Sequence, residues 1–323
     1  MTGVRPDHFV PVAVVDRNGT DESVHWGAAV GLGPDGGVLV AVGDPHVAVY
    51  PRSSTKPVQA WAMVDAGLDL PPEQLAIVCA SHNGETEHLD TVRRILSGAG
   101  LDETHLRNTV DHPLHQESAH GAIRAGVARS SLQMNCSGKH AGMLATCVAN
   151  GWDLETYLDR DHPLQRAIDA AVERLCGEPA VAVGVDGCGA PAHVVPLVGL
   201  ARAMREIALG APGTPGARVR EAMSGHPNMV GGTGRPVTAI MRGIPGLIAK
   251  DGAEAVFVAA LPDGRAVALK IADGSARATV PLLLAVLVRL GVDVDGLQER
   301  LAEKVLGHGR PVGGVRIVAF DRD

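Results

Sequence analysis

Short apolar runs with the character of β-strands occur at both ends of this chain, with helical patterns between them. The first 50 residues hold three such runs, "VPVAVVD", "HWGAAVGLG" and "GVLVAVGD", divided by polar or Gly-rich turns. Near the other end, "AEAVFVAALPDGRAVALKIADG" has the pattern of a hairpin that turns at "PDGR". This order predicts an α+β fold in which an antiparallel sheet is built from both ends of the chain and helices pack against it.

The middle of the chain is predicted to be mainly helical. Apolar residues recur at helical spacing in "STKPVQAWAMVDAG", "TEHLDTVRRILSGAG", "SGKHAGMLATCVANG", "HPLQRAIDAAVERLCG" and "AHVVPLVGLARAMREIALG". Between the first two of these, "LAIVCA" resembles a β-strand and leads into Ser81. We therefore expect one domain over residues 1–323, with a helical lobe at roughly 86–225 inserted between the sheet-forming ends.

Composition excludes several classes of function. The net charge is −7, and the aromatic residues are three Trp, two Tyr and three Phe, so binding to nucleic acid is not expected. The apolar stretches are too short to span a bilayer and no signal sequence stands out, which favours a cytoplasmic protein without membrane contact. The five cysteines are an odd number and do not suggest a disulfide framework; buried thiols or metal ligands are expected instead.

Lysine is rare in this chain, since most of its 29 basic residues are arginine. Arginine stays charged in proteins, whereas a buried lysine can serve as a neutral base. Lys56 follows Ser53 by three positions in "RSSTKP", so the two side chains share one face of a helix start. A lysine desolvated in a cleft can activate such a serine as a nucleophile. The alternative is that Ser53 or Ser54 only caps the helix.

Two further segments could complete an active site of this kind. "CASHNGE" places Ser81 at a turn, and "ALKIADG" places Lys270 in a strand among apolar residues. An S-x-x-K motif, a second serine and a late lysine are the active-site elements of serine β-lactamases and penicillin-binding proteins. "KIADG" departs from the K-[ST]-G motif of those enzymes, so this likeness is one of architecture.

Two cysteines and a lysine suggest a metal site. Cys136 and Lys139 stand three apart in "MNCSGKHAGML", and Cys188 lies in the Gly-rich turn "GVDGCGAP". Two thiolates and a nitrogen would suit tetrahedral zinc with one open position. The alternative is two buried cysteines and a helix cap. Asp186 in the same turn could receive the ammonium group of a ligand, or belong to an ordinary Asp-Gly turn.

Taken together, seven segments resemble the thermolabile Rhizobium-type asparaginases of the asparaginase II family, in the same order and over about residues 8–310. They are "ESVHWGAAV", "RSSTKPVQA", "CASHNGE", "MNCSGKHAGMLATC", "GVDGCGAP", "HPNMVGGTGRPVTAIM" and "ALKIADG". The resemblance implies hydrolysis of L-asparagine to L-aspartate and ammonia in a β-lactamase-like fold, by a homodimer.

The resemblance also implies roles for particular residues. The catalytic residues would be Ser53 as nucleophile, Lys56 as its base, and Ser81 with Lys270 as a second Ser–Lys pair. One zinc ion would be bound by Cys136, Lys139 and Cys188, and the substrate-binding residues would be Arg52, Asn135, His140 and Asp186. Lys250 and Lys304, and the histidines of "DHPLH" and "GHPNM", are expected at the surface or as caps.

Two other functions stay open at this point. One is a serine hydrolase that acts on another amide, such as glutamine, a β-aspartyl peptide or a β-lactam. The other is a catalytically inactive protein that binds zinc or an amino acid.

Overall fold

The structure is a computed structural model that describes residues 4–321. Its strands are β1 (Val10–Arg17), β2 (Thr20–Leu32), β3 (Val38–Val42), β4 (Ala48–Val49), β5 (Ala182–Val185), β6 (Pro191–Pro196), β7 (Ile248–Gly252), β8 (Val256–Ala260), β9 (Ala266–Ile271), β10 (Lys304–Gly307) and β11 (Arg310–Ile317). Its α-helices are α1 (Lys56–Asp65), α2 (Pro72–Val78), α3 (Thr86–Gly98), α4 (Gln116–Arg124), α5 (Ser137–Asn150), α6 (Pro163–Cys176), α7 (Leu197–Ala208), α8 (Pro215–Gly225), α9 (Pro227–Val230), α10 (Pro236–Gly243), α11 (Thr279–Arg289) and α12 (Leu297–Arg300). None of these helices is long and apolar enough to cross a membrane.

The main sheet has eight strands in the order β10-β11-β1-β2-β9-β8-β7, with β3 paired to β2. Every pairing in it is antiparallel. Strands β1–β3 come from the beginning of the chain and β7–β11 from its end. The predicted α+β class, with an antiparallel sheet built from both ends, is therefore confirmed.

The hairpin predicted around "PDGR" is formed by β8 and β9. Its register pairs Val256 with Lys270 and Ala260 with Ala266. Every residue of both strands is buried, because α7 and α11 pack against this part of the sheet. Strands that are buried on both faces have nearly continuous apolar sequences, and Lys270 is the charged exception.

Helix α1 is buried among other helices. All of its residues except Asp65 are buried, and it packs against α5, α6 and α8. Pro57 is compatible with the first turn because the N–H that it lacks would have no partner inside the helix there. A short 3₁₀ turn, Arg52–Thr55, leads directly into this helix. The S-x-x-K motif therefore spans the junction between that turn and α1.

Two predicted elements are wrong in type. The strand-like run before Ser81 is helix α2, which begins at Pro72 and is buried from Leu75 onward. The start of the helix predicted from Ala192 is instead strand β6, which pairs with β4 and β5 in a small sheet. A short apolar run that is buried all round has no period that separates strand from helix.

Candidate active site

The turn that carries Ser53 is strained and exposed to a cavity. Arg52 has a left-handed backbone with φ of 55°, which costs a non-glycine residue about 1–3 kcal/mol. Its Nε donates a hydrogen bond of 2.7 Å to Oδ1 of Asp186. Ser53 is partly exposed, and its hydroxyl has no hydrogen-bond partner within residues 4–321. Its neighbour Ser54 is fully buried, which leaves Ser53 as the hydroxyl of this turn that a ligand can reach.

Lys56 is buried at the first position of α1 with only 1% of its surface exposed. Its Nζ donates to the backbone oxygen of Ala80, to Oγ of Ser81 at 3.2 Å and to Sγ of Cys136 at 3.2 Å. The structure therefore joins Lys56 to Ser81, while its contact with Ser53 runs through the backbone, from Lys56 N–H to Ser53 O. The Lys56 side chain therefore lies between the loop that carries Ser81 and the side chain of Cys136.

Ser81 lies in a loop without regular structure that follows α2. Its N–H donates to Val230 O at 3.1 Å. Its own carbonyl accepts from Nη1 of Arg235 at 3.4 Å, and Nη1 also donates to Oδ1 of Asn83 at 3.5 Å. The loop is thus held from the segment around residues 230–235, which precedes α10.

His82 supports the same loop and was not predicted. Its Nδ1 accepts from Gly84 N–H at 3.1 Å, so Nε2 carries the proton and donates to Oγ of Ser137 at 2.9 Å. Burial lowers the pKa of His82 well below its usual range, with further lowering by the nearby cations. A neutral, fully bonded histidine of this kind is a structural support for the loop.

Lys270 is not hydrogen-bonded to Ser81 in this structure. Its Nζ donates to Glu254 O and to Ile271 O, the latter at 2.8 Å. Burial lowers the pKa of its ammonium group. Glu254 and Ala255 both have positive φ, of 59° and 55°. Lys270 therefore secures a strained turn, and Ala253 in that turn lines the same cavity as Ser53.

The predicted metal ligands lie together. Cys136 caps α5, Lys139 follows one turn later, and Lys139 Nζ donates to Sγ of Cys188 at 3.1 Å. The Cys136 thiol donates to Oδ1 of Asn135 at 3.2 Å. The neighbouring Cys136 side chain lowers the pKa of Cys188 most strongly, and the Lys139 ammonium lowers it further. The same contact with Cys188, together with burial, raises the pKa of Cys136. Burial alone would lower the pKa of Lys139, but the two sulfurs reverse the shift and raise it.

This group of donors fits a zinc ion. Cys136 and Cys188 lie in one buried cluster, and Lys139 Nζ contacts the sulfur of Cys188. Thiolates are ligands that zinc prefers, and the Lys139 ammonium would have to release its proton to become the nitrogen ligand. His140 on the next position of α5 is completely buried, and its Nδ1 is hydrogen-bonded to the Tyr157 hydroxyl at 2.8 Å. Its Nε2 has no hydrogen-bond partner, and burial together with Lys139 lowers its pKa to about 4. The imidazole therefore stays neutral beside the cluster.

A second group of potential metal donors is explained without a metal. Glu85, Glu87 and His88 have ligand atoms close to one another. However, His88 Nδ1 accepts from Glu85 N–H at 3.2 Å, and Nε2 is hydrogen-bonded to Asn228 O at 2.9 Å. Both ring nitrogens are therefore used: Nδ1 caps the start of α3, and Nε2 joins α3 to α9.

The cavity at Ser53 has a volume of about 330 Å³. Six of the predicted site residues line it: Arg52, Ser53, Asn135, Cys136, Asp186 and Cys188. Lys56, Ser81, Lys139, His140 and Lys270 do not line it and lie among buried residues. A larger and more apolar cavity, about 520 Å³, lies beside Trp26, but none of the described residues that line it is a serine, cysteine or lysine. The smaller cavity is the one with the chemistry of an active site.

Sequence reasoning missed one wall of this cavity. Asp111, His112, Pro113 and Leu114 line it, although the histidines of "DHPLH" were expected as caps or surface residues. Nδ1 of His112 is buried and has no hydrogen-bond partner in the described chain. Two histidines around a proline in a polar loop were the available signal, and nothing local distinguishes that pattern from a capped turn.

Lys250 also differs from its prediction. It was expected at the surface, but it is completely buried, whereas Lys304 is exposed as expected. The scarcity of lysine in this chain was the sequence signal that could have marked Lys250 as a residue with a role in the interior.

The arrangement can carry out nucleophilic acyl transfer. A free serine hydroxyl faces a polar cavity, and a buried lysine bonded to a second serine follows it by one turn. No curated protein matches the chain closely enough to count as a relative.

Among solved structures, the chain is similar to a beta-lactamase from Mycobacterium bovis, with 19% sequence identity and a TM-score of 0.47 over 82% of this chain and 94% of that chain. That likeness is too distant to carry an argument about chemistry. The family model of L-asparaginase II matches residues 13–317. The chain therefore belongs to the L-asparaginase II family.

Proposed function

We propose that this protein hydrolyses L-asparagine to L-aspartate and ammonia, with Ser53 as the nucleophile. Membership of the L-asparaginase II family supports an amidohydrolase. The observation that carries the proposal is the free hydroxyl of Ser53 in a charged cavity, one turn before the buried Lys56. A serine needs a nearby base to attack an amide, and lysine is the buried base available here.

The reaction would proceed in two halves. The Ser53 oxygen attacks the carbon of the side-chain amide, and its proton would pass to Lys56 acting as a neutral amine, with the Ser81 hydroxyl, 3.2 Å from Lys56 Nζ, as a relay that gives its own proton to the amine while it takes up that of Ser53. The C–N bond then breaks, the nitrogen takes up a proton, and ammonia leaves an aspartyl ester on Ser53. Water attacks that ester, its proton returns through the same groups, and aspartate is released.

Charged groups at the cavity suit an amino-acid substrate. Asp186 would bind the α-ammonium group and Arg52 the α-carboxylate, and these two side chains already form an ion pair that a zwitterion could divide between them. Asn135, which lines the cavity, would donate a hydrogen bond to the substrate or accept one from it. His140 is completely buried and does not line the cavity, so it would influence the substrate only through the zinc site.

Cys136, Lys139 and Cys188 would hold the zinc ion. Zinc at this position would supply a fixed positive charge and a Lewis acid beside the cavity. The predicted Ser81–Lys270 pair stays a prediction, because such a bond requires Lys270 to leave Glu254 O. The homodimer implied by the family also stays a prediction, which the mass in solution would test.

A substrate panel tests this proposal. Ammonia release from L-asparagine, L-glutamine and a β-aspartyl peptide would be measured beside ring opening of a chromogenic β-lactam. We expect L-asparagine to give the highest kcat/KM. Faster turnover of another amide would move the protein to a different substrate, and no turnover of any of them by folded protein would favour an amino-acid-binding or zinc-binding role.

A further inference from the structure

A chain of charged groups, one of them fully buried and two partly buried, lies behind the Ser81 loop. Arg235 donates through Nη2 to Oδ2 of Asp251, and through Nη1 to Ser81 O at 3.4 Å and Asn83 Oδ1 at 3.5 Å. Oδ1 of the same aspartate accepts from Lys250 Nζ at 2.7 Å, and Lys250 Nζ also donates to Asp251 O at 2.6 Å. The Ser81 backbone is therefore linked through one arginine and one carboxylate to a buried lysine.

The Asp251 carboxylate offsets the positive charge of more than one cation. Lys250 is completely buried, and the side chain of Asp251 is 26% exposed. Lys250, Arg235 and Lys56 are close enough to influence one another, and Asp251 is the acidic group that faces Lys250 and Arg235. Removal of one partner of a buried charged pair leaves the other charge without a partner, which lowers the free energy of unfolding. The positions of Lys250 and Arg235 thus depend on Asp251.

The same strand also supports the Ser53 turn. Ser54 Oγ donates to Lys250 O at 3.3 Å and is 3.4 Å from Val256 O. A Cβ on Gly252 would come within 2.8 Å of Ser54 Oγ, so the turn lies directly against the end of β7. Strand β7 therefore contacts the nucleophile turn through its backbone, and its Asp251 side chain is linked to the Ser81 loop through Arg235.

We propose that Lys250, Asp251 and Arg235 are positioning residues that set the place of Ser81, and of Lys56 bonded to it, relative to Ser53. The inference rests on the proposed serine mechanism. None of the three lines the cavity at Ser53, so they act through the residues that they hold. A displacement of about 1 Å in a reacting group can cost about 100-fold in rate.

The test compares Asp251→Asn with Asp169→Asn. Asp169 is a matched control, because its carboxylate also faces two basic groups, His193 and Arg160, and is 29% exposed. For Asp251→Asn we expect kcat for L-asparagine to fall about 10- to 100-fold while KM changes less than about 2-fold. Asp169→Asn should keep both constants, and Asp251→Glu, which keeps the charge, should recover part of the lost kcat.

A second readout separates this inference from the choice of substrate. The rate at which a fluorophosphonate probe labels Ser53 needs no asparagine, and it should fall with kcat in Asp251→Asn. If wild type is labelled but does not act on asparagine, slower labelling of the variant still supports the positioning role, although the proposed substrate is wrong.

Three results would overturn the inference. They are unchanged kcat and labelling in Asp251→Asn, an equal loss in Asp169→Asn, and a wild type that is neither labelled nor active. A urea unfolding curve must show that each variant is fully folded under the assay conditions, and its zinc content must match that of wild type. If Asp251→Asn does not fold, Arg235→Lys replaces it, because a single ammonium group cannot reach both Asp251 and Ser81 as the guanidinium does.

Discussion

Replacement of Lys250 by Met should change how the stability of the protein depends on pH. Burial lowers the pKa of Lys250 from 10.5 to about 8, helped by Lys56 and Arg235 and opposed by Asp251. Between those two pKa values the unfolded chain binds more protons than the folded chain, so the free energy of unfolding rises with pH. From about pH 7 to about pH 10, the rise that is due to Lys250 is about 2.5 kcal/mol, at about 1.4 kcal/mol for each pKa unit.

Urea unfolding of wild type and Lys250→Met, at intervals across this pH range, measures the effect. Methionine has a similar length and no charge, so the change leaves little empty space. The variant should lack the rise of about 2.5 kcal/mol that wild type shows. Lys304→Met, at an exposed position on β10, should follow wild type. Parallel curves for wild type and Lys250→Met would refute the reasoning that a charged, desolvated lysine lies at this position.

Three further changes have defined outcomes. Ser54→Ala should lose about 1 kcal/mol of stability with its buried hydrogen bonds and keep most of the ammonia release; a loss as complete as in Ser53→Ala would show that the turn presents the wrong serine. Gly252→Ala should lower kcat, because the added methyl group would displace the nucleophile turn. The control Gly121→Ala meets open space within α4, so it should raise the unfolding free energy by about 0.5–1 kcal/mol and leave kcat unchanged. Equal kcat values for the two variants would contradict the close contact between Gly252 and the turn. Wild type purified with zinc should retain about one ion per chain by elemental analysis and Cys188→Ala should retain none, and equal zinc in both would exclude this cluster as the site.

The parts of the fold that follow local rules could be predicted from the sequence. The β8–β9 hairpin combines two β-rich runs with a "PDGR" turn, and α1 combines an apolar repeat with a proline in its first turn. Helix α2 and strand β6 could not be assigned, because β6 and the part of α2 from Leu75 onward are short apolar runs that are completely buried. Their type is decided by the elements that surround them, which no local pattern records.

The candidate site also divides into contacts that the local sequence predicts and contacts that it does not. Ser53 and Lys56 are three positions apart, so the sequence places both in one turn, but it does not show that the Lys56 side chain is bonded to Ser81. The bond from Lys56 to Ser81 and the link from Lys250 through Asp251 to Arg235 join positions far apart in sequence. Such contacts depend on how β7 meets the Ser81 loop.

Ammonia release from L-asparagine by Ser53→Ala, beside wild type, tests the central claim most directly. With the nucleophile removed and the fold intact, we expect release no faster than the buffer blank, because no other hydroxyl of the turn faces the cavity. Release by Ser53→Ala at a tenth or more of the wild-type kcat would contradict the claim, and would place the attacking group elsewhere in the cavity.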